Sequence, residues 1–257
     1  VVSSATQTSP DGKDYGRARE LMTAETNAAI AGAIKAGATE IVVNDSHGPM
    51  TNILIERLDP AATLVTGAPK PLSMMQGIGP DFQAAIFVGY HSMMGTSGVL
   101  SHTISGASVA NIWINGIPVG ETGINAGIAG YFGVPVVLVT GDDEVSREAK
   151  TLLPKVRTAT VKWAVTRQSA RCLVPAKARQ LIEEEAEKAL RDIASAQVWR
   201  PDSPVTFTIE FKDSGLAENA ARMPYAEVKD PRTVEFTADD YLTAFKGLRA
   251  MIALSRG

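Results

Sequence analysis

Short apolar runs alternate with helical stretches through the first half of the chain. From Tyr15 to Ala36 the positions Ala18, Leu21, Met22, Ala28, Ala29, Ile30, Ala33 and Ile34 recur at helical spacing, and Gly37 supplies the stop. The run Glu40-Ile41-Val42-Val43 is β-branched and too short for a helix, so it predicts a buried strand. Ala62 to Val65, Ala84 to Val88 and Pro135 to Val139 predict three further strands. Thr51 to Leu58 predicts a short helix, and Ala126 to Phe132 another, closed by Gly133. One element breaks the alternation. Asn115-Gly116 lies between the apolar runs 111–114 and 117–119, and both positions of a type I′ turn need positive φ, so this is a hairpin.

Beyond about residue 155 the texture changes. Val156 to Val165 predicts a strand. Pro175 to Ile193 predicts a charged helix, with Glu184/Lys188 and Glu187/Arg191 at i,i+4. Val205 to Phe211 alternates as a half-buried strand, Thr233 to Thr237 is another, and Ala238 to Leu254 a closing helix. The fold class is therefore α/β: a mostly parallel sheet flanked by helices over residues 1–155, followed by a smaller C-terminal α+β domain over 156–257.

Composition narrows the function. Of 257 residues, 45% are hydrophobic and 21% charged, which fits a globular protein with a sizeable core. A net charge of -3 with no basic stripe argues against nucleic acid as a partner. The single cysteine, Cys172, allows no internal disulfide and reads as a core residue. No run approaches the ~18 apolar residues that would span a bilayer. The polar opening Val1 to Pro10 lacks the form of a signal peptide, so a cytoplasmic location is expected, with no membrane partner.

The candidate chemistry lies in three histidines, His47, His91 and His102. His47 follows the strand 41–43, and His91 follows the strand 85–88. Ligands of open α/β sheets bind beyond the carboxyl ends of strands, so these two imidazoles can converge. Glu121 follows the hairpin and opens a helix, where a carboxylate also complements the helix N-terminus. With two histidines it completes a His-His-Glu set, and three protein ligands suit a catalytic zinc. His102, after the flexible stretch 95–98, is a general base, a further ligand or a hydrogen-bonded loop residue. Asn44 and Asp45 flank His47 as candidates to orient an imidazole. Asp142 follows another strand end, where capping the next helix is the favoured role and an approach to the site the other. Phosphate-loop, dinucleotide and nucleophile-elbow motifs are missing from the sequence.

The segments ELMTAETNAAI, VNDSHGPMTN, KPLSMMQG, FVGYHSMMGTSGVLSHT, INGIPVGETGINA, VPVVLVTGDD and SARCLVPAKA resemble the zinc-dependent D-aminopeptidases of peptidase family M55. They run in order from about Tyr15 to Lys177. The resemblance implies that His47, His91 and Glu121 bind zinc and that His102 is the catalytic residue. It implies hydrolysis of short peptides with an N-terminal D-residue, D-alanine especially. It also implies a large ring-like homo-oligomer, a decamer, with a small peptide as substrate. The family site holds two zinc ions and draws further ligands from an Asp-x-Glu pair on a first strand. That pair is absent from this chain, and the natural protein is expected to carry it. The rival readings are an amidohydrolase or peptidase of other specificity, and a metal-binding module without peptidase activity.

Overall fold

A computed structural model describes residues 2–257. The first helix, α1 (Tyr15–Lys35), leads into β1 (Ile41–Asn44), which pairs in parallel with β2 (Ala62–Val65). The helix expected at Thr51 to Leu58 is only a single 3₁₀ turn, Ile55–Arg57. Its segment is instead pinned by hydrogen bonds from its backbone to side chains: Asp45 accepts from Ile53 N at 2.7 Å, and Thr23 from Leu54 N at 3.0 Å. These bonds outcompete the helical ones.

A four-stranded sheet has the order β3 (Ala85–Tyr90), β6 (Val136–Asp142), β7 (Arg157–Thr166), β8 (Ser169–Cys172). The first three strands are parallel and β8 is antiparallel. β6 is buried along its whole length, as its unbroken apolar run implies for a central strand. The sequence pattern did not foresee β8, and its Cys172 is exposed rather than part of the core. On one face, α1 and α4 (Pro175–Arg191) cover β6 and β7. The stripe Ala178, Ile182, Ala186 and Ala189 of α4 meets Ala28 and Ala29 of α1. Small residues let these helices approach closely; a methyl group on Gly32 would overlap the Glu183 carbonyl.

The other face of this sheet belongs to the larger core. There α2 (Glu121–Tyr131) and α3 (Asp143–Leu152) pack beside a five-stranded antiparallel sheet and the closing helix α6 (Tyr241–Leu254). That sheet has the order β10 (Glu227–Asp230), β11 (Thr233–Ala238), β9 (Val205–Phe211), β4 (Val109–Ile114), β5 (Ile117–Pro118). The β4–β5 hairpin turns at Asn115 and Gly116, with φ of 49° and 81°, as its sequence requires. Phe207, Ile209 and Phe211 of β9 point inward in strict alternation. Each such buried side chain contributes about 1.5–3 kcal/mol. The short helix α5 (Ser214–Ala220) and the exposed edge strand β10 lie in the segment between β9 and β11, where no element was expected.

A division of the chain at residue 155 separates neither sheet. β7 and β8, from beyond it, extend the sheet begun by β3 and β6, while β4 and β5, from before it, pair onto β9.

The seam between α1 and α4 generates a stability prediction. Helix propensity favours alanine over glycine by about 1 kcal/mol. At Gly16 of α1 a methyl group meets nothing within 4 Å, so Gly16→Ala should stabilise the fold by about 0.4–1 kcal/mol. At Gly32 the overlap with backbone outweighs the same gain, so Gly32→Ala should destabilise by roughly 1–3 kcal/mol. Urea unfolding midpoints of the two variants should move in opposite directions.

Candidate active site

Three of the elements just described end at one point. His91 is the first residue after β3, Glu121 is the first residue of α2, and His102 lies in the loop from β3 to β4. One ligand atom from each of the three falls within 4.8 Å of the others. Glu121 is shared: its Oε2 is 3.4 Å from His91 Nε2, and its Oε1 is 3.8 Å from His102 Nε2. The two imidazoles stack, with ring centroids 4.0 Å apart and planes 19° from parallel.

Carbonyl oxygens only accept, so they fix which ring nitrogen bears a proton. His91 Nδ1 donates to Ser92 O at 3.1 Å, and His102 Nδ1 to Leu100 O at 2.7 Å. Each ring therefore turns Nε2 toward Glu121, the nitrogen that can take up a proton or a cation. Nδ1 bonded to a carbonyl is a common arrangement of a metal-ligating imidazole.

The charges are interdependent. Burial by itself would raise the pKa of Glu121. The charge and hydrogen bond of His91, the charge of His102 and the Ile104 N–H at 2.8 Å reverse that and hold it at about 2. Burial likewise opposes a charge on His91, yet Glu121 carries its pKa above the usual imidazole value. His102 goes the other way: burial and the neighbouring charge of His91 lower it. Without a cation, His91 is thus the ring that takes a proton, and His102 stays neutral. The side chains of His91 and His102 keep 18% and 25% of their surface open, so a small molecule can reach them.

The loop carrying His102 is firmly held. Asp142 is buried at the end of β6; its Oδ1 caps α3 by accepting from Val145 N at 2.8 Å, and its Oδ2 accepts from Val99 N at 2.5 Å. Leu100 N donates to Arg167 O at 2.7 Å, and Arg167 Nε to Ser101 O at 3.0 Å. Leu100 and Ile104 sit on either side of His102 with φ of 59° and 56°, a conformation L side chains rarely adopt. Such strain persists only where the surroundings over-determine it.

His47 stands outside the cluster of three. Its Nε2 donates to Thr8 O at 2.7 Å, which leaves Nδ1 bare. Asp45 and Asn44 do not touch an imidazole. Asp45 accepts from Asn52 Nδ2 at 2.7 Å, and Asn52 Nδ2 reaches His47 O at 2.6 Å, so Asp45 braces the turn that carries His47. Asn44 donates to Ser73 O at 3.1 Å and accepts from Lys70 Nζ.

Two ionisable residues near the cluster carried no signal in the sequence. Glu148 looks like one more charge on the amphipathic α3. Its Oε2 accepts from Met93 N at 2.7 Å, its Oε1 is sealed without a partner, and burial pushes its pKa up to about 7. Lys162 lies in the apolar run of β7. It is buried, donates to Val2 O at 2.5 Å, and has its pKa lowered by that burial.

Comparison with known proteins gives one consistent result. The Peptidase M55 family, described as D-aminopeptidase, matches residues 1–250. The chain is 42% identical over 244 residues to a D-aminopeptidase of Bacillus subtilis (strain 168), covering 95% of this chain and 89% of that protein. The solved structure of the Zn-dependent D-aminopeptidase DppA from Bacillus subtilis, described as a self-compartmentalizing protease, superposes with a TM-score of 0.97 at 40% identity. It covers 99% of this chain and 93% of its own. The chain belongs to the D-aminopeptidase family of peptidases, M55.

Proposed function

We propose that this chain is a zinc-dependent aminopeptidase that hydrolyses short peptides carrying an N-terminal D-amino acid such as D-alanine. The observation that carries the reading is the buried Glu121 carboxylate facing the Nε2 atoms of two imidazoles, in a chain 42% identical to a D-aminopeptidase. Two nitrogens and a carboxylate are the donor types zinc prefers, so the residues fit the ion. His91 and Glu121 are assigned as ligands, with His47 joining them on the strength of the family resemblance. When bound, zinc supplies the positive charge that polarises a carbonyl and acidifies water.

The chain's own residues supply the rest. His102 Nε2 takes a proton from the attacking water and returns it to the leaving amine, a role that suits a ring kept neutral by its surroundings. The Leu100 carbonyl fixes the tautomer this requires. The Ile104 N–H holds Glu121 Oε1 in place, so the carboxylate keeps its orientation when the charge around it changes. Asp142 keeps the loop of His102 fixed relative to β6.

The assembly is proposed to be a ring-like homo-oligomer, a decamer on the family resemblance, acting in the cytoplasm. The description of the similar DppA structure as self-compartmentalizing supports a closed assembly. No helix among the described residues is long and apolar enough to cross a membrane.

Two experiments test the assignment. His91→Ala should lose zinc and reduce hydrolysis of D-alanyl dipeptides by more than about a hundredfold, beyond the cost of losing a group that merely orients a ligand. A zinc-loaded His91→Ala protein that remained active would rule the metal site out. His102→Ala should keep its zinc while kcat falls by about 10²–10⁴-fold, the usual contribution of a general base. His47→Ala should lose zinc. The reverse pattern of metal content would make His102 the ligand and leave His47 outside the site.

A further inference from the structure

Both imidazoles of the cluster donate Nδ1–H to a backbone carbonyl, but the two carbonyls differ in what stands behind them. Ser92 O, the acceptor for His91, belongs to the same peptide group as Met93 N, and Met93 N donates to Glu148 Oε2 at 2.7 Å. Leu100 O, the acceptor for His102, shares its peptide group with Ser101 N, which donates to the neutral carbonyl of Gly98 at a longer 3.3 Å. A peptide group is one planar, resonating unit, so a strong acceptor on its N–H shifts electron density onto its oxygen. A carboxylate is a stronger acceptor than a carbonyl. His91 therefore meets a better acceptor than His102 does, although each Nδ1 touches only main chain.

Glu148 is held in this place at a cost. It reaches in from α3, and Ser92 is buried, so little water screens the contact. Its second oxygen, Oε1, is sealed and has no hydrogen-bond partner among the described residues. That oxygen faces Gly120, the residue before Glu121: a methyl group on Gly120 would lie 2.5 Å from Oε1 and 3.0 Å from Met93 Cβ. One carboxylate thus sits between the segment that follows His91 and the start of α2. The strap 92–94 is also held near His102, where Thr103 Oγ1 accepts from Met94 N at 3.1 Å. Burial opposes the charge on Glu148, while the Met93 N–H and the charge of His91 favour it. A carboxylate oxygen left buried and unpaired destabilises the fold and calls for an explanation.

We propose that Glu148 is a positioning residue for the metal: acting through the Ser92–Met93 peptide group, it fixes the ring of His91 and strengthens Nε2 as a zinc ligand, while His102, without such backing, is left as the base. This rests on the zinc-aminopeptidase reading above and adds what separates its two stacked imidazoles. A histidine whose far nitrogen is tied to a carboxylate is the better metal ligand. Here the carboxylate stands one peptide group away, and its one hydrogen bond among the described residues is to main chain.

The test measures zinc affinity by chelator competition for the parent, Glu148→Gln and Glu148→Ala, with urea midpoints of the metal-free proteins. It is run at pH 8, above the value of about 7 to which burial pushes Glu148, so the parent carboxylate is charged. Glu148→Gln keeps the shape and can still accept from Met93 N through its amide oxygen, but carries no charge. It should bind zinc about tenfold more weakly than the parent, at a urea midpoint no lower. Glu148→Ala, which removes the acceptor as well, should lose about a hundredfold. The chain has three histidines, so 15N-histidine NMR of the zinc-loaded protein reads each ring. In Glu148→Gln the Nδ1–H proton of His91 should move upfield, as a weaker hydrogen bond requires, and that of His102 should stay. Parent-like zinc affinity in Glu148→Gln, or equal shifts of both rings, would overturn the role of Glu148 and leave the aminopeptidase reading intact. A parent that held zinc but left D-alanyl-D-alanine whole would overturn that reading, and the affinity ratio would still decide the role of Glu148. A parent that bound no zinc would overturn both.

Discussion

A carboxylate sealed from water costs several kcal/mol unless other groups compensate its charge. Glu121 is such a group, 6% exposed at the start of α2, and its compensation comes from two histidines and one backbone N–H. None of the three partners lies near it in sequence. The arrangement therefore exists only when β3, the loop 91–108 and α2 are all in place, so the fold and the site depend on one another. The stacked rings also divide the labour between them. The one that leans on Oε2 is drawn toward the charged form, and the one near Oε1 is kept neutral by its neighbour. Two chemically identical side chains acquire different properties from position alone, which is how a site obtains distinct roles from a small set of residue types.

Much of this was legible in the sequence. The hairpin at Asn115-Gly116, the helix Tyr15–Lys35 and the central strand of the sheet follow from local chemistry: positive φ, helical spacing, an unbroken apolar run. His91 and Glu121 could be picked out because each directly adjoins a predicted strand or hairpin. Elements whose stability comes from partners were not legible. Residues 51–58 have the spacing of a helix, but Asp45 and Thr23 capture their N–H groups. β8 exists because β7 offers an edge, and nothing in Ser169–Cys172 itself demands a strand.

The site shows the same limit. Sequence position suggested His47 beside His91, since both follow strands. The geometry also brings His102 to His91, because the loop 95–104 folds back through three residues of positive φ, Gly95, Leu100 and Ile104. That return depends on long-range contacts with Asp142 and Arg167, which no local pattern encodes. Glu148 escaped notice for a related reason. On a helix, a charge facing solvent and a charge turned inward look alike until the packing of the helix is known.

The chain threads its sheets in a way that has a further consequence. The segment β4–β5 lies between His102 and Glu121 in the sequence, and it is woven into the antiparallel sheet completed only by β9 and β11. Residues about a hundred positions apart must meet before the hairpin has a neighbour to rest on. The hairpin between the second imidazole and the carboxylate is thus seated by a strand made about a hundred residues later. Even after every histidine has left the ribosome, the hairpin between them and the carboxylate still lacks the strand it pairs with until β9 has been made.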